Sequence, residues 1–173
     1  HALVLTNASN SYSGATTISS SGGIILKTNN GVLPNGTELT LSNSGFLALY
    51  SGVSQTIAKL VSSSTDTKIF INKSITDTTG KLIINQSANT TFAGVINGFG
   101  GVTKTGSGNL TLSGANTYVG GTTINGGTII LGAAGVLSDT GFVSLANTSG
   151  VALNLNGNNE TLGALIGGGT TGG

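Results

Sequence analysis

Residues 100–132, GGVTKTGSGNLTLSGANTYVGGTTINGGTIILG, decide how the rest of the chain is read. Two short alternating segments, Leu110-Thr111-Leu112 and Thr122-Thr123-Ile124, precede an apolar run over 128–131, and Gly, Asn and Ser separate them. Period-two alternation bounded by turn residues predicts strands. Residues 3–27, LVLTNASNSYSGATTISSSGGIILK, spell the same pattern. Self-similarity on this scale has to be settled before any other feature of the fold.

The two copies align over long stretches. Leu3 and Leu5 match Leu110 and Leu112, Tyr12 matches Tyr118, and Thr16-Thr17-Ile18 matches Thr122-Thr123-Ile124. Ile24-Ile25-Leu26 matches Ile129-Ile130-Leu131, Val32-Leu33 matches Val136-Leu137, and Gln55-Thr56-Ile57 matches Glu160-Thr161-Leu162. The register drifts by one to three residues, always within Gly/Asn/Ser segments, where loops accept insertions and strands do not. One domain over 1–173 therefore holds two units, roughly 3–63 and 100–168, around a middle piece, 64–99.

The string opening at Gly100-Gly101-Val102 resembles the passenger-associated transport repeat of bacterial autotransporters, and residues 89–96, NTTFAGVI, are similar to the segment that leads into it. The first unit resembles it more loosely, without the Thr-Lys-Thr-Gly lead-in. The resemblance implies a segment of a larger passenger domain, displayed on or released from a Gram-negative cell surface after crossing the periplasm and outer membrane. It further implies a C-terminal outer-membrane barrel as partner in the full-length protein. No signal peptide or barrel is read in these residues, so the chain reads as a piece, and His1 reads as foreign to the repeat.

Composition agrees with an exported β-structure. Of 173 residues 30 are Gly, one is Pro and none is Cys, and only 6% are charged. Without arginine or a basic field, nucleic acid is not an expected partner. Zero cysteine excludes disulfides and thiolate metal sites.

Sixteen candidate strands run through the chain, at 3–5, 16–18, 24–26, 39–41, 46–50, 57–61, 68–71, 81–84, 91–95, 102–104, 110–112, 121–124, 128–131, 142–145, 151–155 and 162–166. Two all-β arrangements compete. Asn-Gly pairs such as 125–126 could close hairpins of an antiparallel sandwich. The favoured alternative is a right-handed parallel β-helix, a solenoid of about five coils with three short strands each. Repetition of a multi-strand unit with slippage only in loops, and the scarcity of aromatics, favour the solenoid. Its end coils would be open edges, predicting end-to-end self-association.

Chemistry is sparse. The acids Glu38, Asp66, Asp77, Asp139 and Glu160 are scattered, with no histidine beyond His1. A polysaccharide-cleaving solenoid gathers carboxylates in one groove; here Asp66 and Asp77, each between threonines, read as turn residues or as a pair above a groove. Neither a metal cluster nor a nucleotide motif is present, so no cofactor is expected and the chain reads as non-enzymatic. Tyr12 and Tyr118 are candidate stacking platforms for a sugar, or rings packed over a loop with a solvated hydroxyl. Thr-x-Thr at 65/67, 76/78 and 103/105 resembles a water-ordering array, but each central residue is charged. The leading expectation is thus a structural and interaction segment that aids export and presents loops to a host-cell protein or glycan. The alternative is a secreted effector or toxin fragment recognised by a host-cell receptor.

Overall fold

In the computed structural model, which describes residues 1–7, 10–27, 32–50, 52–72 and 78–167, the described residues form strands, turns and irregular segments and no helix. Among the described residues, eighteen strands lie on three faces. Face A is built from β1 (Ala2–Leu5), β3 (Gly23–Leu26), β5 (Phe46–Leu49), β8 (Lys68–Ile71) and β11 (Val95–Gly98). Face B comprises β6 (Ser54–Ile57), β9 (Lys81–Asn85), β12 (Gly101–Thr105), β14 (Thr122–Ile124), β16 (Phe142–Leu145) and β18 (Ala164–Gly167). Face C carries β2 (Thr16–Ile18), β4 (Glu38–Leu41), β7 (Lys59–Val61), β10 (Thr90–Phe92), β13 (Leu110–Leu112), β15 (Thr128–Leu131) and β17 (Ala152–Asn154). A Ser62–Phe92 bridge joins the two sheets of face C.

Every strand pair is parallel, so Asn125-Gly126 is a solenoid corner and not a hairpin turn. Each strand lies one coil from its partner, which makes the molecule a β-solenoid of about seven turns, where the strand count predicted five. The physical reason is uneven use of the faces. Among the described residues, only the coils β5-β6-β7, β8-β9-β10 and β11-β12-β13 have a strand on all three faces; four others have strands on two faces, and the last has β18 alone. The sequence also merges strands across corners. The predicted 57–61 run splits at Ala58 into β6 and β7, and 91–95 splits into β10 and β11.

Inward positions stack in columns: Ile24, Leu47, Ile69 and Ile96 on face A, and Phe92, Leu112 and Leu131 on face C. Apart from half-buried Ile24 these side chains are buried, and full burial of each stabilises the fold by roughly 1.5–3 kcal/mol. Outward positions carry Thr, Ser, Lys and a few rings, as period two requires.

The two copies fall on different faces. Leu3-Val4-Leu5 lies on face A and Leu110-Thr111-Leu112 on face C; Thr16-Thr17-Ile18 lies on face C and Thr122-Thr123-Ile124 on face B. The second copy is thus rotated by one face about the solenoid axis. The side after the Leu-x-Leu strand, which has no strand among its described residues, rotates with it, from face B in the first copy to face A in the second.

Candidate functional site

The strandless side of each copy is held by side chains that do the work of a missing ladder. In the second copy, buried Asn116 accepts from the Ile96 N–H (2.8 Å) and donates from Nδ2 to the Gly114 and Val136 carbonyls (2.9 Å each). One amide therefore ties its own coil to the coils on either side. Glu160, one coil further on, accepts from the Val136 N–H (2.8 Å) and the Leu137 N–H (3.3 Å). The first copy repeats this. Asn10 Nδ2 donates to the Val32 carbonyl (2.8 Å), and Gln55 accepts from the Leu33 N–H and donates back to the Leu33 carbonyl (2.8 Å each). Buried backbone groups must be paired, and where no strand supplies the partner these amides and carboxylate do. The signal was in the sequence, as Asn two residues before Tyr in both copies and Gln55 aligned with Glu160, but sequence reasoning assigned these residues no role.

The tyrosines belong to the same framework. Tyr118 is 1% exposed and its hydroxyl bonds Thr122 Oγ1 at 2.6 Å, so it has neither a ring face on the surface nor a solvated hydroxyl. Burial pushes its hydroxyl up to about 12, opposed by the Thr122 bond and aided by the nearby Glu160 charge. Tyr12 makes the equivalent bond to Thr16 but is 42% exposed, because it lies in the first coil.

Lys104 is the one fully buried charged side chain among the described residues. It points inward from β12 between Ile84 and Ile124, interrupting the face B column Ile57, Ile84, Lys104, Ile124. Its Nζ donates to the carbonyls of Thr105 (2.6 Å), Gly106 (2.9 Å) and Gly126 (3.2 Å), closing the corner between faces B and C. Desolvation lowers its pKa from 10.5 to about 8. In the Thr103-Lys104-Thr105 triplet the lysine therefore faces the core and the threonines face out.

The described surface is hollowed on face A. Ala48 is the small outward residue in a column between Ile25 and Phe70, and its size leaves a cavity of about 570 Å³. Phe46, Phe70 and Tyr50 wall it, with Phe46 and Phe70 edge to face at 6.2 Å between centroids. Phe46 lies over Gly23, where a Cβ would stand 2.1 Å from the ring, so only glycine seats it. Ser44, Asp66 and Lys68 form the rim, and Lys27 Nζ sits 5.5 Å from the centre of the Tyr50 ring. Asp66 thus borders the hollow, whereas Tyr12 and Tyr118 do not line it; Asp77 lies outside the described residues. Sequence reasoning missed Phe46, Tyr50 and Phe70, whose shared face depends on a register that no local pattern supplies. Among the described residues no three His, Cys, Asp or Glu side chains gather to hold a metal.

Comparison with known families adds the repeat itself. Residues 2–25 and 102–131 match the family of the passenger-associated-transport-repeat. Two segments of the chain are thus similar to the passenger-associated-transport-repeat. No curated protein and no solved structure matches the chain. The matched residues show what this repeat encodes here. The second copy supplies Lys104, Asn116, Tyr118 and the strands β13 to β15, and the first supplies Asn10, Tyr12 and the strands β1 and β2. In both matched segments a Leu-x-Leu strand is followed by a clamped side without a strand among its described residues, and then by a Thr-Thr-Ile strand on the face beyond it.

Proposed function

We propose that the chain is a non-enzymatic segment of a type V secreted autotransporter passenger, carried across the outer membrane beside its own C-terminal barrel and displayed at or released from the bacterial surface. The observation that supports it is the unbroken parallel stacking of coils, which accompanies the two repeats. In such a solenoid each coil contacts only its neighbours, so the chain can fold progressively as it emerges. Each coil that docks removes its inward Leu and Ile from water, and that burial opposes backsliding without an external energy source.

The acids support the same reading. Glu38 pairs with Lys59 across coils at 3.3 Å, and Glu160 is used on backbone N–H groups. As a rigid spacer the segment would carry adhesive surfaces away from the cell, with host-cell contact through its outward faces.

Export of the full-length protein tests the proposal. Ile124→Asp or Leu131→Asp, each placing a charge in the column, leaves the passenger trapped in the cell envelope, while outward Thr123→Asp exports normally. Export of both core variants at the wild-type level contradicts it.

A further inference from the structure

The hollow on face A, which the export role does not use, combines three features. Its floor, Ala48, is small where the residues above and below in the column are large. Its walls are the rings of Phe46, Phe70 and Tyr50, the last 39% exposed. Its rim carries one anion, one cation and one hydroxyl, in Asp66, Lys68 and Ser44. Asp66 and Lys68 make no ion pair among the described residues, where Lys59–Glu38 is the one salt bridge, and neither of their side chains makes a hydrogen bond there. Ser44 is held with φ at 64° directly after Asn43 at 47°, a left-handed pair that turns the chain into β5 and fixes the rim against Phe46.

Aromatic walls suit the C–H faces of a pyranose ring, which is apolar above and below and polar around its edge. The rim completes the match, because an ionised carboxylate only accepts, an ammonium only donates, and a sugar hydroxyl does both. The two charges that line the rim, Asp66 and Lys68, offset each other, which argues for a neutral ligand over an acidic one, while the further cation Lys27 lies over the Tyr50 ring and outside the lining. The volume falls within the 300–1,000 Å³ usual for small-ligand sites and admits about two or three sugar rings.

We infer that the face A hollow formed by Phe46, Ala48, Tyr50 and Phe70, with Asp66, Lys68 and Ser44 at its rim, is a binding site for a neutral pyranose oligosaccharide. Asp66 accepts from one ring hydroxyl, Lys68 donates to another, and the rings stack on the sugar faces. The inference concerns ligand binding alone and does not depend on the export reading.

Saturation-transfer NMR on the chain tests it, with cellotriose and maltotriose as neutral probes, and trigalacturonate and a capped Leu-Phe dipeptide as controls. One of the neutral trisaccharides is expected to bind saturably with Kd of about 0.1–10 mM. Ala48→Leu, which fills the floor, weakens that binding by about tenfold or more, and Phe70→Ala does the same by removing a wall. Asp66→Asn and Lys68→Gln each weaken it by about threefold or more, while Thr123→Ala on face B leaves it unchanged. Circular dichroism confirms that each variant keeps its β-structure; if one of the two apolar variants loses it, the other carries the test. The inference is overturned if neither neutral trisaccharide binds saturably, if the folded apolar variant binds like wild type, or if trigalacturonate or the dipeptide binds more tightly.

Discussion

At the scale of single residues, Lys104 shows most clearly how sequence position and chemistry part company. Thr103-Lys104-Thr105 reads locally as a surface triplet, since lysine is almost never fully buried. Register overrules that prior: Val102 must face the core, so Lys104 does as well. The corner carbonyls of Thr105, Gly106 and Gly126 then provide the hydrogen bonds that a buried ammonium requires. The consequence is a defined pH dependence. Burial lowers the folded pKa to about 8 against 10.5, so between these values the unfolded chain holds a proton that the folded chain lacks. Stability therefore rises with pH across that window, where for most proteins it falls. The denaturant midpoint of the wild type should increase from about pH 7 to about pH 10 relative to Lys104→Met, whose methionine does not titrate. A wild-type midpoint that falls in parallel with the variant would show that Lys104 is not desolvated.

Elements were the part of the fold most legible in the sequence. Thr16–Ile18, Leu110–Leu112, Thr128–Leu131, Lys68–Ile71 and Phe142–Leu145 fall where the alternation places them. Corners of only one or two small residues were less visible. Ala58 and the Ala93-Gly94 pair interrupt apolar runs with small residues, and the alternation continues past them, so two strands read as one. The strandless sides left only the repeated Asn-x-Tyr spacing and the Gln55–Glu160 match as a signal, because side-chain amides standing in for a β-ladder leave no periodicity. Their weight can be measured. Asn116→Ala removes three hydrogen bonds and leaves the Ile96 N–H and Val136 carbonyl without that side-chain partner. A buried unsatisfied group costs about 1–3 kcal/mol, and the loss of unfolding free energy should be at least that large. Asn10→Ala should cost less, because Asn10 is only half-buried and clamps a coil on one side. Equal and negligible losses in both variants would mean that the strandless sides are held by packing alone.

At the scale of the whole molecule, sequence repetition implies a repeat architecture but not the angle between copies. Equivalent strands lie one face apart because the connection from β1 to β13 spans a whole number of coils plus two thirds. That remainder is a sum over many loop lengths, which no local motif determines. It also explains why the aromatic hollow escapes sequence inspection. Phe46, Tyr50 and Phe70 share a surface only because β5 and β8 are adjacent in register on face A. Parallel stacking of adjacent coils underlies the export proposal and the hollow alike.

Engineered cross-links test that stacking most directly, since the chain contains no cysteine to confuse the result. Thr103 and Thr123 are Cα partners on the outer side of face B, within the reach of a disulfide between neighbouring strands. The Thr103→Cys/Thr123→Cys double variant should oxidise completely and keep its β-sheet spectrum. A hairpin closed at Asn125-Gly126 would instead set Thr123 opposite Thr128, so oxidation of Thr123→Cys/Thr128→Cys, with Thr103→Cys/Thr123→Cys remaining reduced, would contradict the solenoid.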